Sequence, residues 1–169
     1  NVKEQAAVWF AQPDGSYLTV DKGATGETLR ERAYFPALLA GRDVVGALVV
    51  SKSTGKRSLI VASPVLVDGK VAGAVGVSMD AAKLAASLDQ AIRFPADVVF
   101  YALDEQGQTA LHRACELIFV FPSDVGSSTL SDAVTTMLAR PEGVVTYRYA
   151  GSEKTALFQR YELTGRGFV

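Results

Sequence analysis

Residues 46–79 read GALVVSKSTGKRSLIVASPVLVDGKVAGAVGVSM. Three apolar runs are separated by Thr54-Gly55-Lys56 and Asp68-Gly69-Lys70, each with a glycine suited to a tight reversal of the chain. Runs of this length, rich in β-branched residues and bounded by turn chemistry, read as strands, so the stretch is expected to be three antiparallel strands in succession. The middle run, Arg57–Val67, is apolar on both faces and should be central and covered on both sides. Its neighbours carry small residues, among them Gly46, Ala47, Gly73, Ala74 and Gly76, which leave room for another group to approach the sheet. Asp80 stands where a helix cap belongs, before a helix over Ala81–Ile92 with Leu84, Ala85, Leu88, Ala91 and Ile92 on one face.

Working outward, VWFAQ-PDG-SYLTV (8–20) is a hairpin around a Pro-Asp-Gly turn. Residues 2–8 read as the tail of a helix, and TGETLRER (25–32) reads as helical. Pro36 turns Phe35 away from the helical region but suits the first position of a new helix. A break at Tyr34–Phe35 follows, then a short helix over Pro36–Ala40 that Gly41 ends. Beyond Pro95 the pattern restarts. VVFYAL-DEQG-QTALHR is a hairpin, ELIFVF reads as a further strand, and SSTLSDAVTTMLAR as a helix with a serine cap. GVVTYRY-AGSEK-TALFQRYEL-TGRGFV gives two long strands and the start of a third. Each half therefore runs hairpin, helix, antiparallel strands. This predicts an α+β architecture of two lobes with stacked antiparallel sheets, divided into residues 1–92 and 93–169.

The chain has 169 residues, 49% of them hydrophobic and 21% charged, with a net charge of −1. The near-neutral balance gives no basic stripe for nucleic acid, and no nucleic-acid partner is expected. No apolar run approaches the roughly 20 residues that span a bilayer. With one cysteine, Cys115, no internal disulfide can form. The chain starts at NVKEQAAVWF and stops at TGRGFV, and is expected to be a domain excised from a longer protein.

Enzyme chemistry finds no footing. His112, at a strand end, is expected to be exposed; with Cys115 it gives too few ligands for a metal. Cys115 reads as a small buried hydrophobe, with only Arg113 to lower its pKa. GAVGVS lacks the third glycine of a dinucleotide loop, and the DEQG carboxylates sit on a turn. No enzyme activity, metal or cofactor is expected. What remains is Arg32, two residues before Tyr34, with a helix start immediately behind. Helix N-termini favour anions, and a guanidinium fits a carboxylate in two-point fashion. On the following strand, alternation places Val49, Ser51 and Ser53 on one face and Val50 and Lys52 on the other. On side-chain chemistry alone the favoured reading is a solvated helical Arg32 and a core Tyr34 with its hydroxyl at the surface.

The spaced series formed by Trp9, PDGSYLTV, RERAYF, VVSKSTGK and ASPVLVDGKVAGAVGVSMDAAKL resembles a Cache domain. These are the extracytoplasmic, PAS-like sensor modules of bacterial chemoreceptors and sensor kinases. The match covers about residues 8–92, and residues 97–169 resemble the smaller membrane-proximal lobe of double-Cache receptors. Arg166 stands where that lobe usually has tryptophan after its final Thr-Gly. The resemblance implies a PAS-like α+β fold and a periplasmic location. It also implies tethering by transmembrane segments on either side, and possible homodimers in the full-length receptor. In amino-acid-sensing members an Arg and an aromatic pair hold the ligand carboxylate, while a Tyr-x-Asp and a last-strand Asp hold the amine. Carried over, the carboxylate half falls on Arg32, Tyr34 and Phe35. The amine half falls on Val49, Ser51 and Ser78, none of them acidic. An ammonium there would forgo charge pairs worth roughly 2–5 kcal/mol. The expected ligand is thus a small organic anion without an amine, such as acetate, propionate, lactate or pyruvate. Lys52 and Tyr17 are further candidates to contact it. Two rivals are a structural or partner-binding domain without a small ligand, and a cytosolic PAS-type cofactor binder, for which no tether residue is evident.

Overall fold

The computed structural model describes residues 6–52, 54–163 and 165–169. The chain divides into two compact units, Asn1–Leu84 and Ala85–Val169. The boundary falls inside the helix that leaves the first unit, eight residues before the break expected after residue 92.

The first unit is built on one antiparallel sheet. Its strands are β1 (Ala6–Ala11), β2 (Ser16–Thr19), β3 (Gly23–Thr28), β4 (Val44–Val50), β5 (Arg57–Val67) and β6 (Lys70–Asp80), in the order β3-β2-β1-β6-β5-β4. The hairpin of β1 and β2 forms as its turn chemistry dictates: Gly15 takes φ +90°, and Asp14 accepts bonds from the Ser16 amide and hydroxyl at 2.9 and 2.7 Å. β1 belongs to the strand register from Ala6 onward, so the helical tail expected over 2–8 is not found at 6–8; its earlier part lies outside the described residues.

TGETLRER is not a helix. Gly23 and Gly26 both take φ +70°, and Thr25 and Thr28 favour extended backbone, so the segment adds an edge strand to β2. Residues after Thr28 turn, with the Arg32 amide bonded to Leu29 O and the Phe35 amide to Arg32 O. Helix α1 (Phe35–Leu39) then carries Pro36 in its first turn and is followed by Gly41 at φ +75°. β5 is not central: β6 and β1 hold the middle of the sheet, and β5 is buried mainly over Ser58–Ile60 and Ala62. Helix α2 (Ala81–Ile92) starts where β6 ends, its first amides held by Asp80 Oδ1 (Ala82 at 3.1 Å, Lys83 at 3.2 Å). Burial raises the Asp80 pKa, but these amides and Lys56, 3.1 Å away, outweigh it and hold the carboxyl below its usual range. Ala81 and Ala85 are buried, whereas Ile92 at the far end is exposed.

One face of this sheet makes the core. Trp9 and Ala11 of β1, Ala74 of β6, Ile60 and Ala62 of β5 and Ala47 of β4 are all buried there, against Tyr34, Phe35 and Leu38. A bulge at Gly46 (φ +75°) shifts the register of β4 between Val45 and Ala47, so that Val44 and Ala47 both face inward and Val49 follows. Glycines of β6 make room for bulky neighbours. A Cβ on Gly76 would lie 2.2 Å from Trp9 Cζ2, and one on Gly73 would lie 2.7 Å from Phe10 Cζ.

The second unit is strand-paired two by two: β7 (Tyr101–Leu103) with β8 (Thr109–His112), β9 (Glu142–Tyr149) with β10 (Ser152–Gln159), and β11 (Tyr161–Leu163) with β12 (Arg166–Phe168). Leu103 and Val169 exchange both backbone hydrogen bonds and so connect two of these pairs, but no continuous second sheet forms among the described residues. ELIFVF is a 3₁₀ turn (Cys115–Leu117) and a loop rather than a strand. Thr109 engages it through the Val120 carbonyl and the Phe119 amide, and Gln108 Nε2 through the Phe119 carbonyl, but Phe119 sits at φ +68°, where no strand continues. Two helices follow, α3 (Pro122–Val125) and α4 (Ser128–Ala139). Ser127 occupies the cap position of α4, yet its hydroxyl bonds Arg148 O at 2.6 Å instead of a helix amide. Cys115, expected to be buried, opens the 3₁₀ turn at the surface and is exposed. His112 departs from expectation in the other direction: it is half-buried, and burial lowers its pKa. Leu103, Leu130, Ala133, Val134, Met137 and Phe158 form this unit's own core.

Candidate functional site

The core face of the first sheet does not close completely. Adjacent cross-strand positions Ala7, Ser78 and Ile60 form a row across β1, β6 and β5, and all three line a cavity. The next row along β1 adds Trp9 and its partner Thr19 of β2. Alternation alone accounts for this: positions two apart on a strand share a face. The cavity is small, about 20 Å³ behind an open mouth, little more than the roughly 10–15 Å³ that a single water requires.

Of the residues singled out in the sequence, Tyr17, Arg32, Tyr34, Ser51, Lys52 and Ser78 come together around this space. Phe35 does not. It is 1% exposed and packs in the core cluster that also holds Tyr34 and Leu38, without lining the cavity. The face assignment near the end of β4 also changes. β4 ends at Val50, and a turn follows in which the Ser51 amide bonds Lys56 O and the Gly55 amide bonds Ser51 O. Strict alternation stops there, so Ser51 and Lys52 both reach the cavity; Ser53 lies outside the described residues. The helix N-terminus offers no donors to an anion, since the Phe35 and Ala37 amides bond Arg32 O and Tyr34 O and Pro36 has none.

Arg32 is the pivotal side chain. Its Nη2 donates to Val50 O at 2.7 Å, which lays the guanidinium against the end of β4. Its Nε–H is sealed from solvent and has no acceptor, which marks it out among the buried side-chain polar atoms described. A buried donor without a partner costs about 1–3 kcal/mol, so the site is under tension without an acceptor. Tyr34, 4% exposed, has its hydroxyl pushed up to about 12 by burial, against the pull of Arg32 and with a push from Tyr17. It is therefore a neutral phenol, able to donate, at any physiological pH. Trp9 Nε1–H donates to Ser78 Oγ at 3.1 Å, which leaves the serine proton to point elsewhere. Lys52 stands 3.6 Å from Glu31 Oε2, a carboxylate that is 81% exposed. No acidic residue is among the described residues that line the cavity.

Sequence reasoning missed Trp9 and Thr19. The signal was present in the glycines of β6, which were expected to leave room for an approaching group; the group opposite Gly76 is Trp9 itself. Among the described residues no cluster of three or more His, Cys, Asp or Glu could hold a metal ion, and no helix is long and apolar enough to cross a membrane.

No family model matches this chain, and no curated protein sequence matches it. Solved structures do. The ligand-binding domain of the Pseudomonas aeruginosa amino acid chemoreceptor PctB, in complex with L-Arg, superposes with a TM-score of 0.72 at 16% identity, over 96% of this chain and 68% of that one. The periplasmic sensory domain of the Campylobacter jejuni chemoreceptor Tlp1 gives 0.74 at 13% identity, over 97% and 70%. The P. aeruginosa PctC ligand-binding domain, in complex with GABA, gives 0.69 at 21% identity, over 96% and 69%. The chain thus has the α+β, PAS-like fold of chemoreceptor periplasmic ligand-binding domains, the Cache-like fold expected from its sequence.

Proposed function

We propose that this chain is the extracytoplasmic ligand-binding sensor domain of a transmembrane signalling receptor, and that the cavity of its first unit takes a small carboxylate that carries no amine. The fold supports the sensor role, since the similar structures are receptor sensory domains. The observation that carries the ligand class is the buried, unpartnered Arg32 Nε–H in a cavity without an acidic wall. A carboxylate supplies the missing acceptor and the counter-charge, with Tyr34 and Ser78 as neutral donors. The PctB and PctC domains were solved with L-Arg and GABA, which bear an amine as well as a carboxylate. Here the cationic wall of Arg32 and Lys52 would repel that ammonium, and the carboxylate beside Lys52, Glu31, is exposed and does not line the cavity. Acetate, propionate, lactate and pyruvate match the charge of this wall and are among the smallest acids that do.

Signalling follows from where the ligand touches. Ser78 lies two residues before the Asp80 cap, and α2 leaves β6 with no intervening loop. A ligand that favours one position of β6 therefore biases the start of α2. Titration calorimetry of the purified chain tests the reading. Acetate or propionate should bind saturably, while glycine and alanine should not. Tight binding of the amino acids with none of the plain acids would overturn the ligand class. No response to any acid or amino acid would favour a domain that works through protein contact alone.

A further inference from the structure

The second unit holds a larger cavity, about 70 Å³, between α4 and the inner face of β9. Alternation along β9 turns Tyr147 and Tyr149 toward the helix, whose Leu130 and Val134 form the opposite wall. Leu117 and Val120 of the loop after β8 close one side. Between them Phe119 holds a left-handed conformation, fixed by its amide bond to Thr109 O at 2.7 Å and by Gln108 Nε2 donating to its carbonyl at 2.9 Å. A bulky residue at positive φ persists where the surrounding structure demands it, and here it keeps the loop off the strand path that would fill the space.

The chemistry of this cavity is opposite to that of the first. No Asp, Glu, Lys or Arg is among the described residues that line it; its polar groups are three tyrosines, Thr109 and His112. His112 Nδ1 accepts the Ala114 amide at 2.8 Å, so the ring proton resides on Nε2 and the imidazole is a donor. Burial also favours the neutral form of His112 by lowering its pKa. The Tyr101 ring lies 6.1 Å from the imidazole, centroid to centroid, with the planes tilted by 31°. Apolar walls, aromatic neighbours and neutral donors, the His112 imidazole among them, describe a site for an uncharged ring that carries an acceptor.

We propose that this cavity is a second ligand site, specific for an uncharged aromatic small molecule that accepts a hydrogen bond. An anion is disfavoured because no cation is among the described residues that line the cavity to offset its desolvation. The site is independent of the carboxylate cavity, and each can fail without the other. Phenol is the probe, titrated into the whole chain at neutral pH and followed by calorimetry and by chemical shifts of the tyrosine rings. It should bind one to one, with benzoate giving no effect on the same resonances and with saturating propionate leaving phenol affinity unchanged. Val125→Trp, at an exposed position on the rim, should weaken phenol at least tenfold by filling the mouth. His112→Phe should weaken it about tenfold while leaving the melting temperature within a few degrees. If one variant fails to fold, the other carries the test. Absence of saturable phenol binding, affinity unchanged in the folded variants, or equal binding of benzoate at the same resonances would overturn the proposal.

Discussion

Arg32 carries one satisfied and one unsatisfied donor. Its Nη2 is satisfied by Val50 O, while its Nε–H is buried with no acceptor. Replacing it with methionine removes one good hydrogen bond and one orphaned donor together, terms of similar size and opposite sign. Arg32→Met should therefore leave the melting temperature of the empty protein nearly unchanged, yet abolish the rise that propionate produces. Thermal melts with and without propionate check both halves, and a variant that still gains stability from propionate would remove Arg32 from the site. At this scale the sequence was informative about chemistry and poor about orientation. The pairing of a cation with a phenol at a helix break pointed to Arg32 and Tyr34. That Phe35 stays out of the cavity lining, while Lys52 joins it, depends on where α1 begins and where β4 stops, and residue type does not encode either.

Elements were legible where local chemistry and tertiary demand agree. The strands β4, β5 and β6 and the helix α2 follow from apolar runs, tight turns and the Asp80 cap. The reading failed where two glycines with positive φ turned a helix-like composition into the edge strand β3, and where Phe119 diverted an apolar run into a loop. The bulge at Gly46 was equally silent, although it sets which residues of β4 face the cavity. Gly76 is the clearest case of a sequence signal with a definite structural cause, since it leaves the space that Trp9 occupies. Gly76→Ala places a Cβ 2.2 Å from the Trp9 ring, so the indole must move and its bond to Ser78 Oγ must go. Overpacking of this kind costs about 1–3 kcal/mol. Chemical denaturation should show that loss, and propionate binding should weaken as Ser78 loses its support. Unchanged stability and affinity would mean that Trp9 does not depend on this glycine.

For the whole molecule, the central question is whether its two units are also two thermodynamic bodies. Each has a separate apolar core, one around Leu38 and Ile60 and the other around Leu103 and Met137. The covalent joint is α2, whose first residues belong to one unit and whose remainder belongs to the other. A unit that owns its core should unfold on its own terms, so scanning calorimetry is expected to resolve two transitions. Leu38→Ala removes a fully buried side chain and should lower one of them by about 2–5 kcal/mol, while Met137→Ala should lower the other by a similar amount. Ligand linkage then assigns the cavities: propionate should raise only the transition that Leu38→Ala depresses, and phenol only the one that Met137→Ala depresses. A single transition that both substitutions lower equally, and that both ligands raise, would make the chain one cooperative body. The α2 joint would then transmit stability as well as position, and a ligand in either cavity would be felt in both.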